Sequence, residues 1–484
     1  MNVREKKTRE ETNPPRPILR MGAPPGECPC RLETVEIIQG DSGFAKKPNR
    51  LIQGDNLEVM RTLLIEGLEG KINLIYIDPP FLSKADYSQK ILIAGGKVKR
   101  PAYSDRWTKQ GYLRMLYPRL SAMKRLLSLT GKIFVHCDRR ANTHIRLILD
   151  EIFGEENFLN EIVWHYGGRG AKHSGGQFPR NHDTIYAYGK TKKAKLKKLY
   201  SEKHIPLKAA LSSGYRQGGD GRVFRTAPRG DYTDKSIKEL SNSGRVHRTA
   251  SGKVRIKYFV PLENGMVIEK KPLDDVWDDI PDAMHIASSE RTGFATQKPE
   301  LLLERIIESG SNEGDLVADF FGGSGTTGIV ATRLKRRWLL CEKTHIGAQV
   351  SLMRLLRKPE CMMVFERAAE KRLENANGRL IIKKSFVPEK KTGAVNANVS
   401  LRGYRINITP KWLPGKAIKN PLSLIEYWAI DWDYDGVTFK NQWRSFGETL
   451  EKEASAILEK KPTLLAVRAV DVMGNEIKKV FKIR

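Results

Sequence analysis

Asp78-Pro79-Pro80-Phe81 sets an acid, a rigid turn and an aromatic ring side by side. A carboxylate accepts hydrogen bonds from an amine, and an aromatic ring stacks on a flat base. A second group lies far along the chain, where Asp319-Phe320-Phe321 runs into Gly322-Gly323-Ser324-Gly325-Thr326-Thr327-Gly328. Glycines there let backbone approach a nucleoside-containing ligand closely. Glu342 follows at about the 20-residue distance at which an acid meets ribose hydroxyls in such sites. The turn reads as Phe321-x-Gly323-x-Gly325, a different pattern from the dinucleotide fingerprint for which NAD is the default ligand.

Each group needs an element to hold it. The apolar run Ile72-Asn73-Leu74-Ile75-Tyr76-Ile77 predicts a buried strand. Neither proline after Asp78 has an N–H for a sheet ladder, so the strand stops there. Leu316 to Phe321 and Trp338 to Glu342 predict two more acid-ended strands, with a helix from Ile329 to Leu334 between them. Open α/β sheets place ligands at such carboxyl ends. Gly131 to Asp138, Asn160 to Trp164 and Asp183 to Tyr188 predict further strands, and Ile145, Ile148, Leu149 and Ile152 recur at helical spacing.

The Asp-Pro-Pro-Phe motif ahead of the Asp319 to Thr327 turn resembles the amino-methyltransferases of DNA, and the order of the two motifs resembles their β class, including type III modification enzymes. The resemblance covers roughly residues 46–380. It implies a Rossmann-like S-adenosylmethionine-dependent methyltransferase fold, α/β and circularly permuted, with a mixed sheet. It implies a catalytic set of Asp78, Pro79, Pro80 and Phe81, where Phe81 stands in place of the commoner tyrosine. It implies a cofactor set of Asp319, Phe321, Gly323, Gly325, Thr326 and Glu342. Asp55, in Gln53-Gly54-Asp55-Asn56, is similar to an acid near the cofactor's adenine, and Lys298, in Thr296-Gln297-Lys298-Pro299, to the segment beside its methionine. The implied reaction is methylation of adenine N6 in double-stranded DNA by base flipping, since an Asp at the first motif position leans towards adenine. Cytosine N4 methylation and a decayed DNA-binding specificity subunit are the alternatives. A separate restriction subunit and a second copy of the chain are candidate partners.

Composition points the same way. The 484 residues carry a formal charge of +29, which suits a polyanionic partner. Between Lys190 and Pro272 there are 21 Lys and Arg against 7 Asp and Glu, with Tyr215, Phe224 and Tyr232 interleaved. In β-class relatives an insertion here recognises the target sequence. Lys192 and Lys193 are expected on phosphates, and Arg222, Arg225, Arg229, Arg245 and Arg248 are better suited to base edges. Five cysteines suit a reducing cytoplasm. No apolar run is long enough to span a membrane.

His136 and Cys137 lack partners at ligand spacing, so no metal site is expected. Asp431-x-Asp433-x-Asp435-Gly436 imitates the start of a calcium loop, but Gln442 stands where the bidentate Glu belongs. The predicted organisation is a flexible basic arm (1–45), a catalytic half (46–189), a target-recognition insertion (190–285), a cofactor half (286–380) and a small β-rich domain (385–484). In that last part, hairpins are expected around Asp435-Gly436 and Gly474-Asn475.

Overall fold

The computed structural model describes residues 29–38, 47–93, 96–167, 178, 181–369, 378–390 and 392–483. They form two compact units, one of residues 1–197 with 275–484 and the other of residues 198–274.

The first unit is built on a mixed sheet. Its strands are β1 (Leu32–Ile38), β2 (Asn49–Gln53), β3 (Ile72–Ile77), β4 (Leu127–Cys137), β5 (Phe158–His165), β6 (His182–Gly189), β7 (Val276–Trp277), β8 (Leu316–Asp319), β9 (Arg337–Glu342), β10 (Met363–Ala368) and β11 (Phe439–Asn441). Among the described residues the spatial order is β7-β5-β6-β4-β3-β8-β9-β2-β10-β1-β11. The centre, from β4 to β10, is parallel, while β6 and β1 run antiparallel to their inner neighbours. This is the α/β mixed sheet expected from the sequence.

Strand periodicity explains the layers. In β3, Ile75 and Ile77 turn to one face, against helices α1 (Asn56–Leu63), α2 (Lys109–Leu126) and α3 (Asn142–Phe153). Leu74 and Tyr76 turn to the other, against α4 (Glu300–Gly310), α5 (Thr326–Arg333) and α6 (His345–Leu356). Both faces are covered, which is why β3 reads as an almost continuous apolar run.

The topology brings the two acid-ended strands together. Ile75 lies opposite Ala318 and Tyr76 opposite Asp319 in the parallel β3–β8 pair. The sheet continues to β4 on one side of this pair and to β9 on the other, so their carboxyl ends flank a topological switch point.

Three expectations need correction. Residues 32–38, assigned to the flexible arm, form β1 instead. Its Glu36 is fully buried and accepts hydrogen bonds from Arg468, Tyr427 and Asn441. The rest of that arm, up to residue 28 and over 39–45, lies outside the described residues. The Asp435-Gly436 hairpin does not form. The strand Ile425–Asp431 pairs instead with Trp443–Phe446 and Leu464–Asp471, and Phe439–Asn441 leaves to join the central sheet beside β1. Asp431 and Asp435 turn their carboxylates onto backbone amides of the loop, Asp431 onto Lys440 and Asp435 onto Val437 and Thr438. The Gly474-Asn475 hairpin does form, between Leu464–Asp471 and Glu476–Lys482. Two antiparallel sheets of this C-terminal part share one apolar core, including Val399, Trp428, Ile430 and Val467.

The third correction concerns the insertion. The second unit spans residues 198–274, narrower than 190–285. Its flanks belong to the first unit: Lys197 N–H donates to the Ser309 carbonyl, and the Asp275 carbonyl accepts from Val163. Within the unit, Tyr200–Pro206, Leu262–Glu263 and Met266–Pro272 form one antiparallel sheet. Arg216–Gln217, Val223–Pro228, Val246–Arg248 and Val254–Val260 form another, with Ala210, Tyr215, Val223 and Val267 as a small core. No helix of the described residues is long and apolar enough to cross a membrane.

Candidate active site

The catalytic candidate Asp78 sits just past β3. Lys298 donates to its Oδ2, while Oδ1 is buried with no hydrogen-bond partner. A buried, unsatisfied carboxylate oxygen costs about 1–3 kcal/mol, so this one is poised to accept a donor. The segment beyond the prolines is clamped by a residue the sequence did not single out. Asp105 Oδ2 accepts from Phe81 N–H (3.1 Å), Ser83 N–H (2.8 Å) and the Ser83 hydroxyl (2.7 Å). Leu82 and Lys84 in the same loop take left-handed backbone (φ 54° and 57°), which non-glycine residues rarely adopt. The Phe81 ring lies 5.6 Å from that of His136 and 4.9 Å from the Lys298 ammonium. His136 is fully buried, bonded through Nδ1 to the Tyr76 hydroxyl (3.1 Å) and through Nε2 to Asp183 (3.2 Å). A carboxylate on Nε2 assigns that nitrogen a proton, and in the neutral ring Nδ1 then accepts from the Tyr76 hydroxyl.

The glycine-rich turn follows β8. Asp319 accepts from the Thr327 hydroxyl (2.6 Å) and from Phe321 N–H (2.9 Å). Burial nevertheless pushes its carboxyl up to about 7. Gly325 caps α5 in left-handed backbone (φ 75°), and a Cβ there would stand 3.1 Å from Ser351 Cα. Glycine is therefore required on both counts. Glu342, at the end of β9, accepts from Gly323 N–H (2.8 Å) and from the Thr344 N–H and hydroxyl (both 2.7 Å), so it fixes the turn's shape.

One cavity of about 560 Å³ joins these parts, a volume within the usual range for a small-molecule site. Asp78, Pro79, Pro80, Phe81, Lys298, Asp319, Phe321, Gly323, Thr326 and Glu342 all line it. Gly325 and Asp55 do not. Gly325 acts on the backbone of the turn. Asp55 caps α1 through Leu57 N–H (3.0 Å) and pairs with Arg119 (2.7 Å) and Lys343 (3.0 Å). Burial would raise its carboxyl, but Arg119 and Lys343 outweigh that and hold it below the usual range. The neighbouring Asn56 lines the cavity in its place, anchored to the Phe320 carbonyl at 2.7 Å.

Tyr87 and Tyr103 form a further wall that the sequence reading missed. They stack 4.9 Å apart, Phe294 lies 6.3 Å beyond, and the Tyr103 hydroxyl donates to Thr296 (3.3 Å). An acid-lined, glycine-cradled turn fits a cationic nucleoside cofactor, and an unpartnered carboxylate oxygen next to an aromatic ring fits a flat amine-bearing substrate. Phe294 of the aromatic wall lies against the turn, 3.7 Å from where a Gly323 Cβ would stand.

The basic candidates divide between the units. In the second unit, Arg222 pairs with Asp220 (2.6 Å) and lies over Phe259 (4.1 Å), while Arg225 pairs with Glu269 (2.5 Å) and lies over Tyr215 (4.4 Å). Arg229 pairs with Asp234 (2.6 Å), Arg245 stands 6.0 Å from Tyr258, and Arg248 is exposed. Lys192 and Lys193 are exposed on the first unit.

A family model described as DNA methylase matches residues 72–348. The type II methyltransferase M.EcaI of Enterobacter cloacae is 30% identical over 342 residues, covering 65% of this chain and 72% of that protein. The EcoPI Mod subunit of a type III restriction-modification enzyme, from Escherichia phage P1, is 26% identical over 360 residues, covering 60% of this chain and 55% of the subunit. The chain thus spans about half the length of the type III relatives it matches, the HindVI and StyLTI Mod subunits included. Among solved structures, the cytosine-N4-specific PvuII DNA methyltransferase aligns at 16% identity with a TM-score of 0.37, over 64% of this chain and 89% of that one.

Proposed function

This chain belongs to the DNA methylase family, and we propose that it methylates the N6 amine of adenine in double-stranded DNA with S-adenosylmethionine as donor. The observation that carries this reading is the state of Asp78: Lys298 occupies Oδ2, and Oδ1 is buried and unpartnered beside Phe81.

The target base is buried in the duplex and has to be flipped out to reach such a cavity. Phe81 stacks on the flipped ring and replaces part of the lost base stacking. An exocyclic amine is a poor nucleophile because its lone pair is delocalised into the ring. Asp78 Oδ1 accepts one amine hydrogen and the Pro79 carbonyl the other, which frees the lone pair. Lys298 keeps the carboxylate oriented with Oδ1 available. Asp319, Gly323, Thr326 and Glu342 hold the cofactor. When bound, it supplies an electrophilic methyl group on a good leaving group. Catalysis is then mostly positioning and fixed electrostatics.

The second unit presents its arginines to the DNA, and Lys192 and Lys193 contact phosphates. The aspartate at the head of the Pro-Pro motif supports adenine as the target. Mod subunits among the relatives support a separate restriction subunit as a partner. Digesting methylated duplex DNA to nucleosides tests the reading. N6-methyladenine is expected, and N4-methylcytosine alone would overturn the choice of base. DNA binding with no methyl transfer by the intact chain would indicate a decayed specificity subunit instead.

A further inference from the structure

We propose that Arg100 is a positioning residue through which the C-terminal β-rich part holds the aromatic wall of the cavity. The proposal rests on the methyl-transfer reading above and assigns that part of the chain a role in it.

Tyr87 and Tyr103 belong to a ribbon of two strands, Asp86–Ile93 and Gly96–Ser104, that forms a sheet of its own. An isolated two-stranded ribbon is marginally stable in water, so its position depends on what it docks against. Near the cavity, Lys90 N–H donates to the Gly293 carbonyl (2.9 Å). Away from it, Ile93 is buried in the core of the C-terminal sheets, with Ile91 and Val98 packed alongside.

Arg100 is the polar part of that docking. It is 1% exposed, and its Nε is fixed within the ribbon by Gln89 (2.8 Å). Its Nη1 leaves the ribbon to bond the Val472 carbonyl (2.6 Å) and Gln349 Oε1 (3.3 Å), with the Glu426 carboxylate 3.7 Å away. Gln349 in turn donates to Glu426 (2.6 Å) and to the Asp471 carbonyl (2.8 Å). The countercharge for this buried cation therefore comes from the C-terminal part. Breaking one side of a buried pair leaves an uncompensated charge, so ribbon and C-terminal sheets hold each other in place. Arg100 and Glu426 stand outside the cavity lining. At the cavity end, Tyr103 bonds Thr296, two residues before the lysine that holds Asp78. The tether therefore acts on the cavity wall that runs from the lysine holding Asp78 to Phe294 beside the glycine-rich turn.

Arg100→Lys and Glu426→Ala in the full chain test this. Arg100→Lys keeps the charge but cannot make the same set of bonds. The measurements are single-turnover methyl transfer at saturating DNA, cofactor affinity by calorimetry, and hydrogen exchange of the ribbon amides. Transfer should slow roughly tenfold to a hundredfold, the scale of an ångström-sized misplacement. Ribbon amides should exchange faster, the exchange of β3 and β8 should stay as in the wild type, and cofactor affinity should fall by less than the transfer rate. Wild-type transfer rates, or unchanged ribbon exchange, in both variants would overturn the proposal. A wild type that transfers no methyl group would overturn the methyl-transfer reading instead, and ribbon exchange would still test the tether.

Discussion

Asp105→Ala should release the loop that carries Phe81. One carboxylate oxygen takes three hydrogen bonds, from Phe81 N–H, Ser83 N–H and the Ser83 hydroxyl. Bonds to a charged acceptor are worth about 1.5–3 kcal/mol each, so the gross hold is roughly 5 kcal/mol. Against this stand the left-handed Leu82 and Lys84, which relax once released and regain about 1–2 kcal/mol each. With Asp105 present the loop conformation is thus favoured by about 2 kcal/mol. Without it the left-handed strain of about 3 kcal/mol stands uncompensated, so the variant populates this conformation in less than about 1 per cent of molecules. Methyl transfer should fall about a hundredfold in kcat, at ten-fold per 1.4 kcal/mol. Cofactor affinity should be little changed, because the glycine-rich turn is untouched. Asp105→Asn keeps an acceptor oxygen and should lose less. The assay is steady-state transfer to duplex DNA alongside calorimetric cofactor binding. A kcat within twofold of wild type in a folded Asp105→Ala variant would show that the clamp does not govern Phe81.

Asp78→Ala should lower transfer by about a hundredfold or more, while gel-shift affinity for DNA is retained. Equal losses of both would argue for a structural role. Gly325→Ala forces a left-handed φ on alanine and crowds Ser351, so the melting temperature should drop and cofactor binding weaken about tenfold; wild-type calorimetry would contradict this. Asp319 has its carboxyl raised from 3.8 to about 7 by burial, so the folded chain keeps a proton that the unfolded chain has released. Its contribution to stability is full below the unfolded value and is lost as pH rises through the folded one. The permanently neutral Asp319→Asn should therefore gain melting temperature relative to wild type between about pH 4 and 8; parallel curves would refute the assignment. Arg248→Ala should weaken DNA binding and lower its salt slope by about one if the residue meets a phosphate; a base contact would instead change sequence preference.

Local chemistry made much of the centre legible. Ile72 to Ile77 could only be a buried strand, and Pro79 and Pro80 could only end it. The pairing of β3 with β8 is set by no local pattern. What escaped notice depends on side chains meeting across the fold. Asp105 looks like any acid at a strand end, and only its inward turn onto Phe81 and Ser83 gives it a role. Nothing in Lys97 to Ser104 marked Arg100 as buried or Tyr103 as facing the cavity. Asp55 was given a ligand-facing place, but Arg119 and Lys343 were invisible as its partners. At Asp435-Gly436 the turn signal was genuine, yet Phe439–Asn441 found a better partner in β1, whose Glu36 needed Asn441 and Tyr427 around it.

The adjacency of β3 and β8 also bears on how the molecule assembles. Ile75 and Ala318 pair across roughly 240 intervening residues, and loop-closure entropy grows only as the logarithm of that length. Removing all of residues 198–274 would ease closure by only about 0.3 kcal/mol. The chain can therefore carry an insertion of almost any size at that point with little effect on the stability of its centre. The cost falls on time rather than on free energy. During synthesis Asp78 emerges long before its neighbour Asp319, and no partial chain that lacks β8 holds both ends of the cavity.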